Sequence, residues 1–140
     1  MAFRQLQDIV LNQTPLTLPI DATVKEACRA MRERRVGAVL VTDLNGRLVG
    51  IFTGRDAVAR MLAENKSAAK TRLVDVMTRS PKTMPPDGNA IEALRLMRDC
   101  GCRHIPVVTG DKIVGVVSRG DFSGLEIDRI ETETQLWERI

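Results

Sequence analysis

Two short phrases in this chain set a hydroxyl and a carboxylate at the same spacing: Thr53-Gly-Arg-Asp56 and Ser118-Arg-Gly-Asp121. A hydroxyl at a helix start stands beside N–H groups that have no partner within the helix, and together they suit an anion such as phosphate. An aspartate three residues later, one turn into the helix, can accept two hydrogen bonds from the vicinal hydroxyls of a ribose. Phosphate and ribose would then lie where a single nucleotide reaches both. The same spacing also belongs to a capping box, in which the two side chains satisfy only backbone donors of their own turn. Either reading fits one phrase; recurrence of the phrase in one register shifts the balance toward a nucleotide.

Other reactive side chains lead less far. Cys28 falls at an apolar helix position and reads as a packed free thiol. Cys100 and Cys102, separated by Gly101, also read as thiols, and with His104 they lack a fourth metal ligand at usual spacing. Cys102 and His104 share one side of an extended strand, but no acid stands ready to orient the imidazole. The chain is therefore not expected to be an enzyme, nor to hold a metal.

The elements that must position these residues come in two copies. Displaced by 66 residues, the segment 15–35 matches 81–101 at nine positions, including Pro15/Pro81, Thr17/Thr83, Asp21/Asp87 and Met31/Met97. Displaced by 65, Leu48-Val-Gly-Ile-Phe-Thr-Gly-Arg-Asp56 matches Ile113-Val-Gly-Val-Val-Ser-Arg-Gly-Asp121. Each copy opens with a short Pro-bearing strand, and Asp21 or Asp87 is placed to cap a helix. That helix carries Val24, Ala27, Cys28 and Met31, or Ala90, Ala93, Leu94 and Met97, at positions i, i+3, i+4 and i+7. Two β-branched runs follow, 36–42 and 47–53 or 105–109 and 112–118, joined by Asp43-Leu-Asn-Gly46 or Gly110-Asp111 as hairpin turns. A last helix starts at Thr53 or Ser118. The unit is βαββα, written twice and joined by a polar segment, 64–72, with expected helical character.

This doubled unit, with its Gly-hydrophobic-hydrophobic-Thr/Ser-x-x-Asp ending, resembles the CBS domain pair, the family named after cystathionine β-synthase. Four phrases carry the match: Gly50-Ile-Phe-Thr53-Gly-Arg-Asp56, Gly115-Val-Val-Ser118-Arg-Gly-Asp121, Arg103-His104-Ile105-Pro106-Val-Val and Leu73-Val-Asp-Val-Met-Thr78. The resemblance covers roughly residues 6 to 127, as repeats over 6–64 and 73–127 ahead of a helical tail, 128–140. It implies an α+β fold of tandem βαββα repeats packed as a pseudo-two-fold pair. It further implies a regulatory or sensing module whose clefts hold AMP, ADP, ATP, NAD or S-adenosylmethionine. In that arrangement Arg55, Arg103, His104 and Arg119 gather near the hydroxyl-bearing turns, where cations neutralise phosphate. Ile20, Val39, Ile105 and Pro106 are candidates for the faces of an adenine ring, and Thr17 and Thr83 for its edge. Gly37 and Ala38 stand where the second copy has Arg103 and His104, so the two sites should differ. The alternative is a ligand-free scaffold for dimerisation or partner binding.

Composition narrows the classes. The chain has 140 residues, 44% hydrophobic and 28% charged, and is expected to share one core. Phe3, Phe52, Phe122 and Trp137 are its aromatic residues, too few for reading single-stranded nucleic acid by stacking. The basic helix faces, with Arg29, Arg32 and Arg95, are interleaved with Glu26, Glu33 and Glu92 and read as solvated surface. Neither a membrane span nor a secretory leader is evident, which favours the cytoplasm. The net charge is +3, with acids concentrated in the tail. That tail carries Ile130, Leu136, Trp137 and Ile140 as an apolar stripe that would seek a partner surface. With Val58, Met61, Leu62, Phe122 and Leu125 it suggests a homodimer.

Overall fold

The computed structural model describes residues 3–138, with side chains through Leu136. In chain order its elements are α1 (Leu6–Ile9), β1 (Thr17–Pro19), α2 (Val24–Arg34), β2 (Ala38–Thr42), β3 (Leu48–Thr53) and α3 (Gly54–Asp56), which runs on as a π-helical segment, Ala57–Leu62. Then follow α4 (Leu73–Val76), β4 (Thr78–Arg79), α5 (Ala90–Cys100), β5 (His104–Thr109), β6 (Lys112–Ser118), a 3-10 turn (Arg119–Asp121) and α6 (Gly124–Glu138). The fold is α+β; the first copy runs strand, helix, hairpin, helix as the repeat predicts, while the second opens on an isolated bridge at Met84 and reaches its last helix, α6, only after a 3-10 turn.

The chain divides into two compact units. The first comprises Thr14–Pro81 with Asp111–Ile113; the second comprises Lys82–Gly110, Val114 onward and the segment ahead of Thr14. Each unit has its own hydrophobic cluster, where one shared core was expected. The first gathers Val24, Ala27, Val39, Phe52 and Leu73, and the second Leu6, Ala93, Leu94, Ile105 and Val117. The reason is that each unit completes its core with a short helix. Leu73 and Val76 of α4 close the first, while Leu6 of α1 and the adjoining Val10 close the second. Leu6-Gln-Asp8-Ile-Val10 and Leu73-Val-Asp75-Val-Met77 are themselves a repeat. Gly50 and Gly115 record it in the backbone, since a Cβ at Gly50 would strike Met77 and one at Gly115 would lie 2.7 Å from Val10 Cβ.

In the first unit the sheet order is β1-β2-β3-β4, with β1 parallel to β2 and the remaining pairs antiparallel. In the second, β5 pairs with β6, and Met84 forms a parallel bridge to Val107 in the place β1 holds in the first. Both hairpin turns are as read: the Asp43 carboxylate accepts from the N–H groups of Asn45 and Arg47, and Gly46 and Gly110 take positive φ.

Several local expectations are corrected. Asp21 and Asp87 do not cap α2 and α5, because each lies inside a turn closed by Ala22 N–H to Pro19 or by Gly88 N–H to Pro85. Thr23 and Asn89 are the caps, accepting from the N–H groups of Glu26 and Glu92. The 64–72 segment makes turns rather than a helix, with Asn65 at φ 53° and a Lys70 N–H to Ser67 turn. In the second copy the helix does not run on from Ser118. Phe122 is extended, sinking its ring into the core, and α6 starts afresh under a Ser123–Glu126 pair.

Candidate functional site

At the end of β3 in the first unit, Thr53 caps α3 and the Asp56 carboxylate turns back onto it. Asp56 Oδ2 accepts from Thr53 N–H at 2.9 Å and from the Thr53 hydroxyl at 3.1 Å, while that hydroxyl accepts from Asp56 N–H at 3.3 Å. Oδ1 faces Arg60, whose Nε lies 3.5 Å away. The guanidinium of Arg60 is itself held, Nη1 donating to the carbonyls of Val76 at 2.9 Å and Met77 at 3.1 Å. Asp56 is buried, its side chain 12% exposed. The capping box is complete here, and its carboxylate has a counterion within the unit.

The corresponding turn of the second unit begins alike and ends differently. Asp121 Oδ2 accepts from Ser118 N–H at 2.7 Å and from the Ser118 hydroxyl at 3.2 Å. Asp121 Oδ1 has no hydrogen bond or ion pair among the described residues, and Asp121 is exposed. Because the chain leaves the 3-10 turn at extended Phe122, residue 125 does not stack one turn above Asp121 as Arg60 does above Asp56. The Asp121 carbonyl accepts from Arg4, whose guanidinium also forks onto Glu126 at 2.6 and 3.2 Å. That arginine holds the nearly buried Glu126 carboxyl below the usual carboxylate range. No feature singled out in the sequence pointed to Arg4, which lies ahead of the Leu6–Val10 phrase and has Thr71 as its counterpart before α4.

The neighbouring strand delivers the other second-copy candidates. Arg119 N–H donates to Arg103 C=O at 3.0 Å, binding the start of β5 to the Ser118 turn. Gly54 N–H to Gly37 C=O, 3.1 Å, is its counterpart in the first unit and confirms that Gly37 and Ala38 replace Arg103 and His104. His104 is half-buried, and its pKa is pushed below the ordinary imidazole value by burial first and the Arg103 charge second, against a smaller opposite pull from Asp121. Arg103 is exposed. Arg119 turns toward α5 and α6, lining a pocket of about 320 Å³ with Arg98, Ile130 and Thr134. Thr83 is exposed beside Met84, whose N–H donates to Pro106 C=O at 3.1 Å.

The apolar candidates divide by burial. Val39 and Ile105 are fully buried members of the two cores, so their side chains are spent on packing and present no ring face. Pro106 is buried and Ile20 half-buried, while Thr17 is exposed in β1 opposite Leu40. Arg55 is exposed and engaged with a partner.

The cysteine expectation changes in part. Cys100 and Cys102 pair as a disulfide across Gly101, whose left-handed φ of 67° brings their Cα atoms to 5.3 Å. Cys28 is free and half-buried, and burial pushes its thiol pKa up. Among the described residues no group of three or more His, Cys, Asp or Glu is placed to hold a metal ion.

The tail is also corrected. Ile130 of α6 is buried in the second unit's own core with Ile127 packed against it, and Glu133 binds Arg95 and Arg98 of α5. Met61 and Phe122 are likewise buried; Val58, Leu62, Leu125 and Leu136 remain exposed. The Trp137 side chain and Ile140 lie outside the described residues. Among those residues, no helix is long and apolar enough to cross a membrane.

Comparison with known proteins agrees with this architecture. The CBS domain model matches residues 6–63 and 73–125. The chain is 39% identical over 102 residues to the CBS domain-containing protein CBSCBSPB5 of Arabidopsis thaliana, covering 73% of this chain but only 19% of that protein. It is 40% identical over 101 residues to YlbB of Bacillus subtilis, an uncharacterized protein, covering 71% of this chain and 68% of the relative. Among solved structures, the CBS domain protein PAE2072 of Pyrobaculum aerophilum, complexed with AMP, aligns with TM-score 0.81 at 25% identity, over 92% of this chain and 99% of that one. Two matched segments, covering most of the chain, place it in the CBS-domain family, as a tandem pair of CBS domains.

Proposed function

We propose that this CBS pair is a non-catalytic regulatory module that binds an adenine nucleotide or adenosyl ligand at a hydroxyl-and-aspartate turn. The observation that carries the reading is the Ser118–Asp121 turn, which keeps one carboxylate oxygen uncommitted next to a strand bearing Arg103 and His104. Asp121 supplies acceptors for the ribose hydroxyls, the Ser118 hydroxyl and the basic strand meet the phosphate, and Pro106 and Thr83 lie toward the base. The AMP complex of PAE2072 supports an adenine nucleotide, and AMP, ADP, ATP, NAD and S-adenosylmethionine share the groups recognised. Nucleic acid and membrane are not among the proposed partners; the cytoplasm is the proposed compartment.

One observation favours the scaffold reading. Both turns form capping boxes, as structural caps would, and at Thr53–Asp56 the carboxylate also has a counterion. Thermal unfolding with each of the five ligands at millimolar concentration separates the readings. A ligand at about 100 times its Kd adds roughly 2.7 kcal/mol, a shift of several degrees. No shift with any of them favours the scaffold. We also propose a homodimer, through exposed Val58, Leu62 and Leu125. Sedimentation as a monomer at about 50 micromolar would remove that part.

A further inference from the structure

We infer that the two repeats are not equal binding sites: the chain takes one adenine nucleotide, at the second repeat, and Arg60 closes the first. The inference rests on the nucleotide reading above and adds which turn is available and which residue decides it.

A ribose binds such a turn by offering hydroxyl donors to an aspartate with free acceptor capacity. At Asp121 that capacity exists, since Ser118 occupies Oδ2 alone and Oδ1 is without a partner among the described residues. At Asp56, Oδ1 likewise accepts no hydrogen bond among the described residues, but a cation obstructs it, Arg60 Nε lying 3.5 Å away. Thr53 occupies Oδ2 from both its N–H and its hydroxyl, and the Arg60 guanidinium stands over Oδ1. An exposed ion pair would be a weak barrier. This one is half exposed on the arginine side, at 47%, but the aspartate side chain is only 12% exposed and Arg60 is anchored by two carbonyl bonds at 2.9 and 3.1 Å. A ribose would have to displace a fixed cation from a buried carboxylate and put two neutral hydroxyls in its place, leaving the charge less well compensated.

The backbone explains why only the first repeat carries this device. Asp56 is followed by continuous helical backbone, so residue 60 stands one turn above it, four residues on. After Asp121 the chain is extended at Phe122, and the residue at the matching offset is Leu125, 82% exposed and apolar. The first repeat also lacks the Arg103 cation and the His104 imidazole, with Gly37 and Ala38 in their place. Closure of the aspartate and loss of the Arg103 charge act in the same direction.

The test is the stoichiometry of AMP binding to the full chain by isothermal titration calorimetry. The parent protein should bind one AMP per chain, Asp121→Asn should lose at least tenfold in affinity, and Asp56→Asn should keep the parent stoichiometry and affinity. Arg60→Leu, which installs the second repeat's residue, should expose a further site; in the Arg60→Leu/Asp121→Asn double variant that site alone should remain. Because Arg60 also braces the Val76 and Met77 carbonyls, Arg60→Gln serves as a second variant that keeps a donor for them and removes the charge. Two equal sites in the parent, or folded Arg60→Leu and Arg60→Gln proteins that still bind one AMP, would overturn the inference while leaving the nucleotide reading intact. Absence of binding in every variant would overturn both.

Discussion

Asp56 and Asp121 occupy one repeat position and present different chemistry, and the difference lies in a single carboxylate oxygen. Asp121→Ala should cost roughly 1.5 to 3 kcal/mol of nucleotide affinity, the range for hydrogen bonds to a charged group, read as a Kd rise of about tenfold or more. Asp56→Ala should leave that Kd unchanged and lower the melting temperature, since it unmakes a cap. His104 offers a second residue-scale check. Its folded pKa is below that of the unfolded imidazole, so the unfolded chain takes up more protons across that interval. Its contribution to stability is therefore present above about pH 6.5 and lost as pH falls through the folded value. Urea midpoints between pH 7.5 and 5 should decline less for His104→Gln than for the parent; equal declines would remove His104 as a source. Both aspartates and their hydroxyls were legible in the sequence because they are polar, close in sequence and repeated. Arg60 was not, because its role depends on whether the helix runs on, and neither Asp56 nor Asp121 announces that.

The turns are held by elements whose packing explains residues that otherwise look incidental. Gly115 lies in β6 under Val10, as Gly50 lies in β3 under Met77. A Cβ at 115 meets the branched Cβ of Val10, which cannot move aside without its backbone; a Cβ at 50 meets the flexible thioether arm of Met77. Gly115→Ala should accordingly destabilise by about 1 to 3 kcal/mol, and Gly50→Ala by clearly less, compared by chemical denaturation. Equal costs would mean that α1 does not seat on β6 as described. The central helices and hairpins were readable from their periods, since Val24, Ala27 and Met31, and Ala90, Ala93, Leu94 and Met97, are all buried as spaced. The short helices α1 and α4 were not, because four residues carry too little periodicity to register. The caps moved two residues because a Pro-initiated turn absorbs Asp21 and Asp87 before each helix begins.

At the scale of the whole molecule, the repeat is legible in the sequence while its partition into units is not. The segment ahead of Thr14 belongs with the second repeat through Leu6 and Val10, a non-local arrangement that no local pattern encodes. The tail shows the same non-locality. Its apolar stripe suggested an outside partner, yet Ile130 lies in the second core and Glu133 clamps α5. Deleting residues 128–140 should therefore unfold or strongly destabilise the second unit, with loss of Ile130 alone worth about 2 to 5 kcal/mol. A truncated chain with parent stability would show that α6 is dispensable. The central claim is that this CBS pair is an adenine-ligand sensor reading through its second repeat. Native mass spectrometry of the full chain with AMP, ADP, ATP, NAD and S-adenosylmethionine tests it most directly, because ligand mass, ligand number and subunit number are read together. The account predicts one bound adenine ligand per chain, lost in Asp121→Ala and retained in Asp56→Ala. A chain that stays free of all five ligands, or binds one equally well without Asp121, would contradict it.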